Sequence, residues 1–230
     1  MEEYPTLEQQ VEFFDHWNES YRKEGFEEIE PESHARGERV LQILESLRIR
    51  GVSILEVGCG TGWLTERLVR FGPTTAIDLS PRAIAIARSR GLDSEFVAGD
   101  FYLETISCVP DQPKFIERLA TVTRPGGYLI ITAQNKFVYE RRSDIGTPKP
   151  GNIRKWLTGN QFRKLLSPRF RVLRTTTVLP KGDKGILRLV HSYKVNRLLE
   201  LAFSRASIIR TQERLGLGHT TVVLAQRHEL

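Results

Sequence analysis

Short apolar runs alternate along this chain with stretches of helical periodicity. Residues 7–24 place Phe13, Phe14, Trp17 and Tyr21 in an aromatic stripe and predict a helix. A second helix is predicted over Ser33–Arg48, with Val40, Leu41, Leu44 and Leu47 on one face and Ser33 as N-cap. Ile54–Val57, Thr75–Leu79 and Phe96–Asp100 are short β-type runs, and Ala83–Arg90 between the last two is helical. Leu129–Ala133 is another strand, followed by a helix over Thr158–Leu166 and a strand over Phe170–Leu179. Leu187–Phe203 reads as a basic amphipathic helix extending toward Arg214, and Thr220–Gln226 as the final strand. This order predicts an α/β fold with a doubly wound, mostly parallel sheet and a helical insertion before the last strand.

The sharpest local signal lies where the first strand ends. Residues 54–62 read Ile-Leu-Glu-Val-Gly-Cys-Gly-Thr-Gly. Alternating glycines after a β-branched run predict a sharp turn into a helix, about Trp63–Arg70, whose first amides would face a ligand on the loop. A plain strand–turn–helix joint is the bland alternative. A dinucleotide fingerprint needs glycine at the sixth position from Gly58, where Trp63 stands, and no GK[ST] ending marks a P-loop.

The Glu-Val-Gly-Cys-Gly-Thr-Gly segment instead resembles motif I of class I S-adenosylmethionine-dependent methyltransferases. Asp78 follows Glu56 by 22 residues at the end of the second strand, a distance suited to an acid that meets ribose hydroxyls. Arg124-Pro-Gly-Gly-Tyr128 matches the turn before that family's fifth strand. The resemblance covers about Phe13 to Arg142 and implies a Rossmann-like methyltransferase fold with S-adenosyl-L-methionine as cofactor. It implies that the Gly58, Cys59, Gly60 and Gly62 loop takes the amino acid end of the cofactor, with Glu56 fixing the loop and the amino group. Asp78 would take the ribose, Asp100 the adenine amine, and Leu79 and Phe101 would flank the ring.

One segment departs from the family. Only nine residues separate Asp100 from Pro110, and no strand-like run stands where the fourth parallel strand belongs. A parallel strand cannot follow its neighbour without a crossover of a dozen or more residues, so 101–108 cannot supply it. Three explanations are open, with the first favoured: residues lacking here, a truncated variant, or a sheet that closes differently; missing residues would show as a long Cα separation between Asp100 and Glu104.

Composition fits a soluble globular protein: 230 residues, 40% apolar and 27% charged. Two domains of use are expected, N-terminal helices forming a lid over 1–50 and the methyltransferase domain over 51–230. No apolar run reaches membrane-spanning length, no signal-peptide core is visible, and two cysteines make no disulfide framework, so the expectation is cytoplasmic. No metal site is expected.

Charge is strongly segregated. Residues 1–134 hold 14 Lys/Arg against 22 Asp/Glu, whereas 135–214 hold 19 against 5. This suggests an acidic partner for the later region, with a solvated basic face as the bland alternative. The basic segment 135–157 leaves a strand's carboxyl end, where doubly wound folds bind ligands, and Arg141, Arg142 and Arg154 are candidates to hold an anionic acceptor. The histidine common after the family's fourth strand is replaced by Cys108. Glu104, Tyr139 and His16 are the remaining candidates for a base. The expected activity is methylation of a small, anionic acceptor, at oxygen rather than nitrogen. An RNA methyltransferase, or a methyltransferase-like binding subunit without turnover, are the alternatives.

Overall fold

The computed structural model describes residues 4–21, 31–99, 106–147 and 150–229. Within them the chain forms two compact units. One takes in the described residues of Met1–Pro110 and Pro148–Lys155, the other those of Asp111–Thr147 and Trp156–Leu230.

The first unit opens with α1 (Leu7–Tyr21) and α2 (Pro31–Leu47), then β1 (Ile54–Val57), a one-turn α3 (Thr65–Leu68), β2 (Thr74–Asp78), α4 (Pro81–Ser89) and β3 (Glu95–Ala98). Its three strands make an all-parallel sheet in the order β1-β2-β3, with Leu55 opposite Thr75 and Ile77 opposite Val97. Under β2 and α4, Cys59, Ala76, Ile84, Ala87 and Phe96 pack into a buried cluster. Ser80 caps α4 by accepting the Ala83 N–H at 3.0 Å, and Pro81 takes the first helical position, where no amide is needed.

The second unit holds α5 (Gln112–Val122), β4 (Tyr128–Gln134), α6 (Lys136–Tyr139), α7 (Gly159–Leu166) and β5 (Phe170–Pro180), followed by α8 (Ile186–Val190), α9 (Tyr193–Leu199), α10 (Arg205–Arg214) and β6 (Gly218–Arg227). Its sheet runs β4-β6-β5 and is wholly antiparallel, with a register shift between Val172 and Arg174. β6 lies in the middle and is buried along Gly218–Ala225, which explains its unbroken Val-Val-Leu-Ala run. α7 begins with a full capping box, Thr158 and Gln161 each satisfying the other's backbone.

The α/β architecture agrees with the sequence reading, while the strands divide into one parallel and one antiparallel sheet. Among the described residues no strand lies between β3 and β4, as the short interval after Asp100 implied. The expected Cα gap at Asp100–Glu104 falls outside the described residues.

Three local expectations need correction. The helix after the glycine loop is not Trp63–Arg70 but the single turn of α3 followed by a 3₁₀ turn at Val69–Phe71. Ser33 is not an N-cap, because α2 already starts at Pro31 and Ser33 is buried inside it. The long helix expected over 187–203 and on toward Arg214 is three short ones, α8, α9 and α10. Ser204 accepts the Ser207 N–H and starts α10 afresh. The basic segment 135–157 is also divided between the units, its 150–155 part belonging to the first.

Candidate functional site

The glycine loop in the first unit is built from three positive-φ residues, Gly58 (77°), Gly60 (54°) and Gly62 (80°). A side chain at Gly62 would meet the Phe96 ring at 3.3 Å and the Ala87 methyl at 3.2 Å, so position and conformation both demand glycine. The loop amides are largely occupied. Gly58 and Cys59 N–H donate to the Ile77 carbonyl at 2.8 and 3.2 Å, and Gly62 N–H donates to Cys59. Most of these amides hold the turn, and the glycines leave room for a ligand beside it. The Cys59 side chain is 1% exposed and packs in the core cluster. Arg90 braces the far side of the loop, donating to the Thr61 carbonyl at 3.2 Å and to Glu66 at 3.0 Å.

Asp78, 2% exposed at the end of β2, accepts the Gly60 N–H at 2.5 Å on Oδ2 and the Ser80 N–H at 2.9 Å on Oδ1. It thereby ties the glycine loop to the β2–α4 turn, and each oxygen keeps a lone pair for a further donor. Leu79 beside it is buried. Ser80 also donates its hydroxyl to Asp15 of α1, and Asp15 accepts the Arg82 N–H at 3.4 Å. The N-terminal helix is therefore fastened directly beyond Asp78. No sequence signal had pointed to Asp15.

Glu56 is the unsettled charge of this site. Its Oε2 accepts the Thr65 hydroxyl at 2.5 Å. Burial pushes its carboxyl up to about 7; the Thr65 hydrogen bond lowers it, Asp78 raises it and Arg36 lowers it. The residue as a whole keeps some solvent access, but its carboxyl lies among packed atoms, and the opposing effect of Arg36 is the smallest of the four. A cationic group placed there would ionise it.

In the second unit a polar cluster forms where β4 ends. Asn135, 3% exposed, accepts the Phe137 N–H at 3.2 Å and donates to the Gly216 and Gly218 carbonyls at 2.8 and 2.9 Å, locking the start of β6 to α6. Tyr139 Oη lies 2.8 Å from His219 Nε2, and His219 Nδ1 lies 2.9 Å from the Thr220 hydroxyl. The Tyr139 ring rests on Trp156 at 4.7 Å and on His219 at 4.8 Å. Arg142 lies over the same ring at 5.3 Å, its side chain only 11% exposed, and forks onto Asp144. Arg142 in turn holds the Asp144 carboxyl down to about 2. Arg141 instead folds back over Phe137 at 4.1 Å and donates to its carbonyl at 2.9 Å.

These features are those of a methyltransferase, and the comparisons agree. A profile described as a methyltransferase domain matches residues 21–169. The chain belongs to the methyltransferase domain family. A ubiquinone biosynthesis O-methyltransferase of Xanthomonas oryzae pv. oryzae (strain PXO99A) is 33% identical over 110 residues, covering 39% of this chain and 46% of the relative. The chain thus matches about half the length of such curated relatives. Among solved structures, a chain of the complex between the Haloferax volcanii Trm112 methyltransferase activator and a putative methyltransferase superposes with TM-score 0.65 and 15% identity. It covers 94% of this chain and 98% of the other. The N-methyltransferase NodS of Bradyrhizobium japonicum WM9, solved with S-adenosyl-L-homocysteine, gives TM-score 0.58 and 15% identity, covering 96% of each chain. At that identity these two show the fold.

The residues present fit S-adenosyl-L-methionine. The under-compensated Glu56 suits its ammonium group, the glycine loop leaves space, and the spare lone pairs of Asp78 suit two hydroxyls. Asp100, Phe101 and Glu104 lie outside the described residues. The structure brings Glu56, Asp78, Leu79 and the glycines together in the first unit, and Tyr139 and Arg142 together in the second. His16 is exposed on α1, and Arg154 is half-buried in the first unit's 150–155 segment. His219 is the functional candidate that sequence reasoning missed, because it stands 80 residues from Tyr139 and only the β4–β6 pairing joins them. Among the described residues, no group of His, Cys, Asp and Glu could hold a metal, and no helix is long and apolar enough to cross a membrane.

Proposed function

We propose that the chain is an S-adenosyl-L-methionine-dependent methyltransferase that methylates a hydroxyl of a small anionic acceptor. The observation that carries the acceptor half is the Tyr139–His219 pair at 2.8 Å, with Arg142 over the same ring. The cofactor, when bound, supplies an electrophilic methyl group on a sulfonium. A hydroxyl that accepts a methyl must lose its proton, and a Tyr–His pair is suited to take it. In the tautomer with His219 Nδ1–H donating to Thr220, Nε2 presents its lone pair to Tyr139 Oη and can take the Tyr139 proton as Oη takes the acceptor's. The proton ends on His219. Arg142 supplies a planar fork whose present partner, Asp144, is exposed and can yield to an acceptor carboxylate or phosphate. The O-methyltransferase name of the Xanthomonas relative supports transfer to oxygen.

The test is transfer of labelled methyl from the cofactor to hydroxyaromatic carboxylates and to their neutral analogues. Tyr139→Phe and His219→Ala should each lower kcat by about 10²-fold or more, the usual contribution of a positioned proton acceptor. Arg142→Ala should raise KM for carboxylates only. Equal turnover of neutral and anionic acceptors, or unchanged kcat in both proton-site variants, would refute the reading.

A further inference from the structure

The stretch joining β5 to β6 differs from the rest of the molecule: its large apolar side chains face outward. Tyr193, Leu198 and Leu201 are 75%, 68% and 82% exposed, and Ile186, Leu189 and Phe203 are each more than half exposed. α9 buries none of its residues. Scattered exposed leucines are ordinary on a protein surface, but this many within one short segment mark an interaction face.

The same segment is basic. Residues 181–214 hold eight Lys/Arg against three Asp/Glu. Of the acids, Glu213 is buried and accepts the Leu179 N–H at 3.3 Å, Asp183 is engaged by the Ser143 N–H and hydroxyl, and Glu200 stands exposed at the end of α9. Lys194 and Arg197 of α9 stand exposed among Tyr193, Leu198 and Leu199. Long cationic side chains can lay their stems on apolar surface while their heads stay at a polar layer.

We propose that α8, α9 and the turn into α10 form a peripheral docking surface for an anionic lipid bilayer. Their aliphatic tips would enter the boundary between headgroups and acyl chains, and their cations would meet the headgroup phosphates. The two rival occupants fit less well. A second copy would bring one basic segment against another, with like charges opposed. An RNA would match the charge but would leave the bare aliphatic side chains without partners, since nucleic-acid surfaces stack bases on aromatic rings instead. The inference stands independently of the methyl-transfer reading and does not need the site to be active.

The test is cosedimentation of the full chain with vesicles of phosphatidylcholine alone and of phosphatidylcholine mixed with phosphatidylglycerol. The chain should bind the mixed vesicles, bind neutral ones far less, and be released by salt. The double substitution Leu198→Asp, Leu201→Asp should weaken vesicle binding by about a hundred-fold or more, since burial of one leucine contributes about ten-fold or better. Both side chains are exposed, so the melting temperature should not fall. Lys194→Glu with Arg197→Glu should abolish the preference for the anionic mixture. The proposal is overturned if the chain ignores both kinds of vesicle, or binds both equally. It is also overturned if the leucine variants only convert a dimer to a monomer in light scattering, or if the charge variants lose binding to polyuridylate while vesicle binding never occurs.

Discussion

Replacing Glu56 by Gln isolates the cost of burying a carboxyl that Arg36 compensates only weakly. In the folded chain its proton is held up to about 7, against 4.5 in a free side chain. Below pH 4.5 both states are protonated and the residue is neutral in its effect. Between pH 4.5 and about 7 the unfolded chain ionises first, so stability is lost as pH rises, and the loss is complete above pH 7. At roughly 1.4 kcal/mol per pH unit the full effect is about 3 kcal/mol, and the remaining solvent access of Glu56 reduces it to about 1–3 kcal/mol. Gln keeps an oxygen for the Thr65 hydroxyl and never ionises. Urea unfolding followed by tryptophan fluorescence at pH 4, 5, 6, 7 and 8 should therefore show Glu56→Gln and wild type closest at pH 4 and already separating at pH 5. They should diverge by about 1–3 kcal/mol in favour of the variant at pH 8. Parallel stability curves across that range, or a variant less stable at pH 8, would refute the reasoning. Since the cofactor's ammonium should ionise Glu56, binding of S-adenosyl-L-homocysteine near pH 6.5 should release protons in wild type and not in the variant. Calorimetry in buffers of different ionisation enthalpy would show this.

Three further outcomes follow from the geometry. Asp78→Ala should lose roughly 2–4 kcal/mol of stability by freeing two buried amides, and should abolish the rise in melting temperature that S-adenosyl-L-homocysteine gives wild type. Gly62→Ala should cost about 1–3 kcal/mol in thermal unfolding, from its φ of 80° and the crowding by Phe96 and Ala87. Thr158→Ala should cost about 1 kcal/mol by removing the capping box of α7, with cofactor affinity unchanged in the same preparation.

What could be read from the chain were the features with a short physical range. The apolar runs at 54–57 and 74–78 and the glycines after the first are local, and the fold follows them closely. Strand direction is not local: β4, β5 and β6 have the same apolar texture as parallel strands, yet pair antiparallel because of how the chain returns. Helix continuity also escaped, since Ser192 and Ser204 interrupt a pattern whose apolar spacing continues through them. Asp78 was legible as a buried acid, but its bonds to Gly60 and Ser80 depend on loop geometry. His219 was illegible for a similar reason, since its partner comes from the strand pairing.

The division of the strands has a consequence for the chain in concentrated solution. Among the described residues β4 pairs on one side only, and its sequence, Tyr-Leu-Ile-Ile-Thr-Ala-Gln, contains neither charge nor proline. Natural sheets protect a rim of that kind with lysines, bulges or a covering strand. Here the rim is a seven-residue template of high β-propensity. Strand addition between molecules competes with native folding, and its rate grows with concentration while folding's does not. Refolding yield should therefore fall as protein concentration rises, and a lysine placed for Ile130 or Thr132 should restore it.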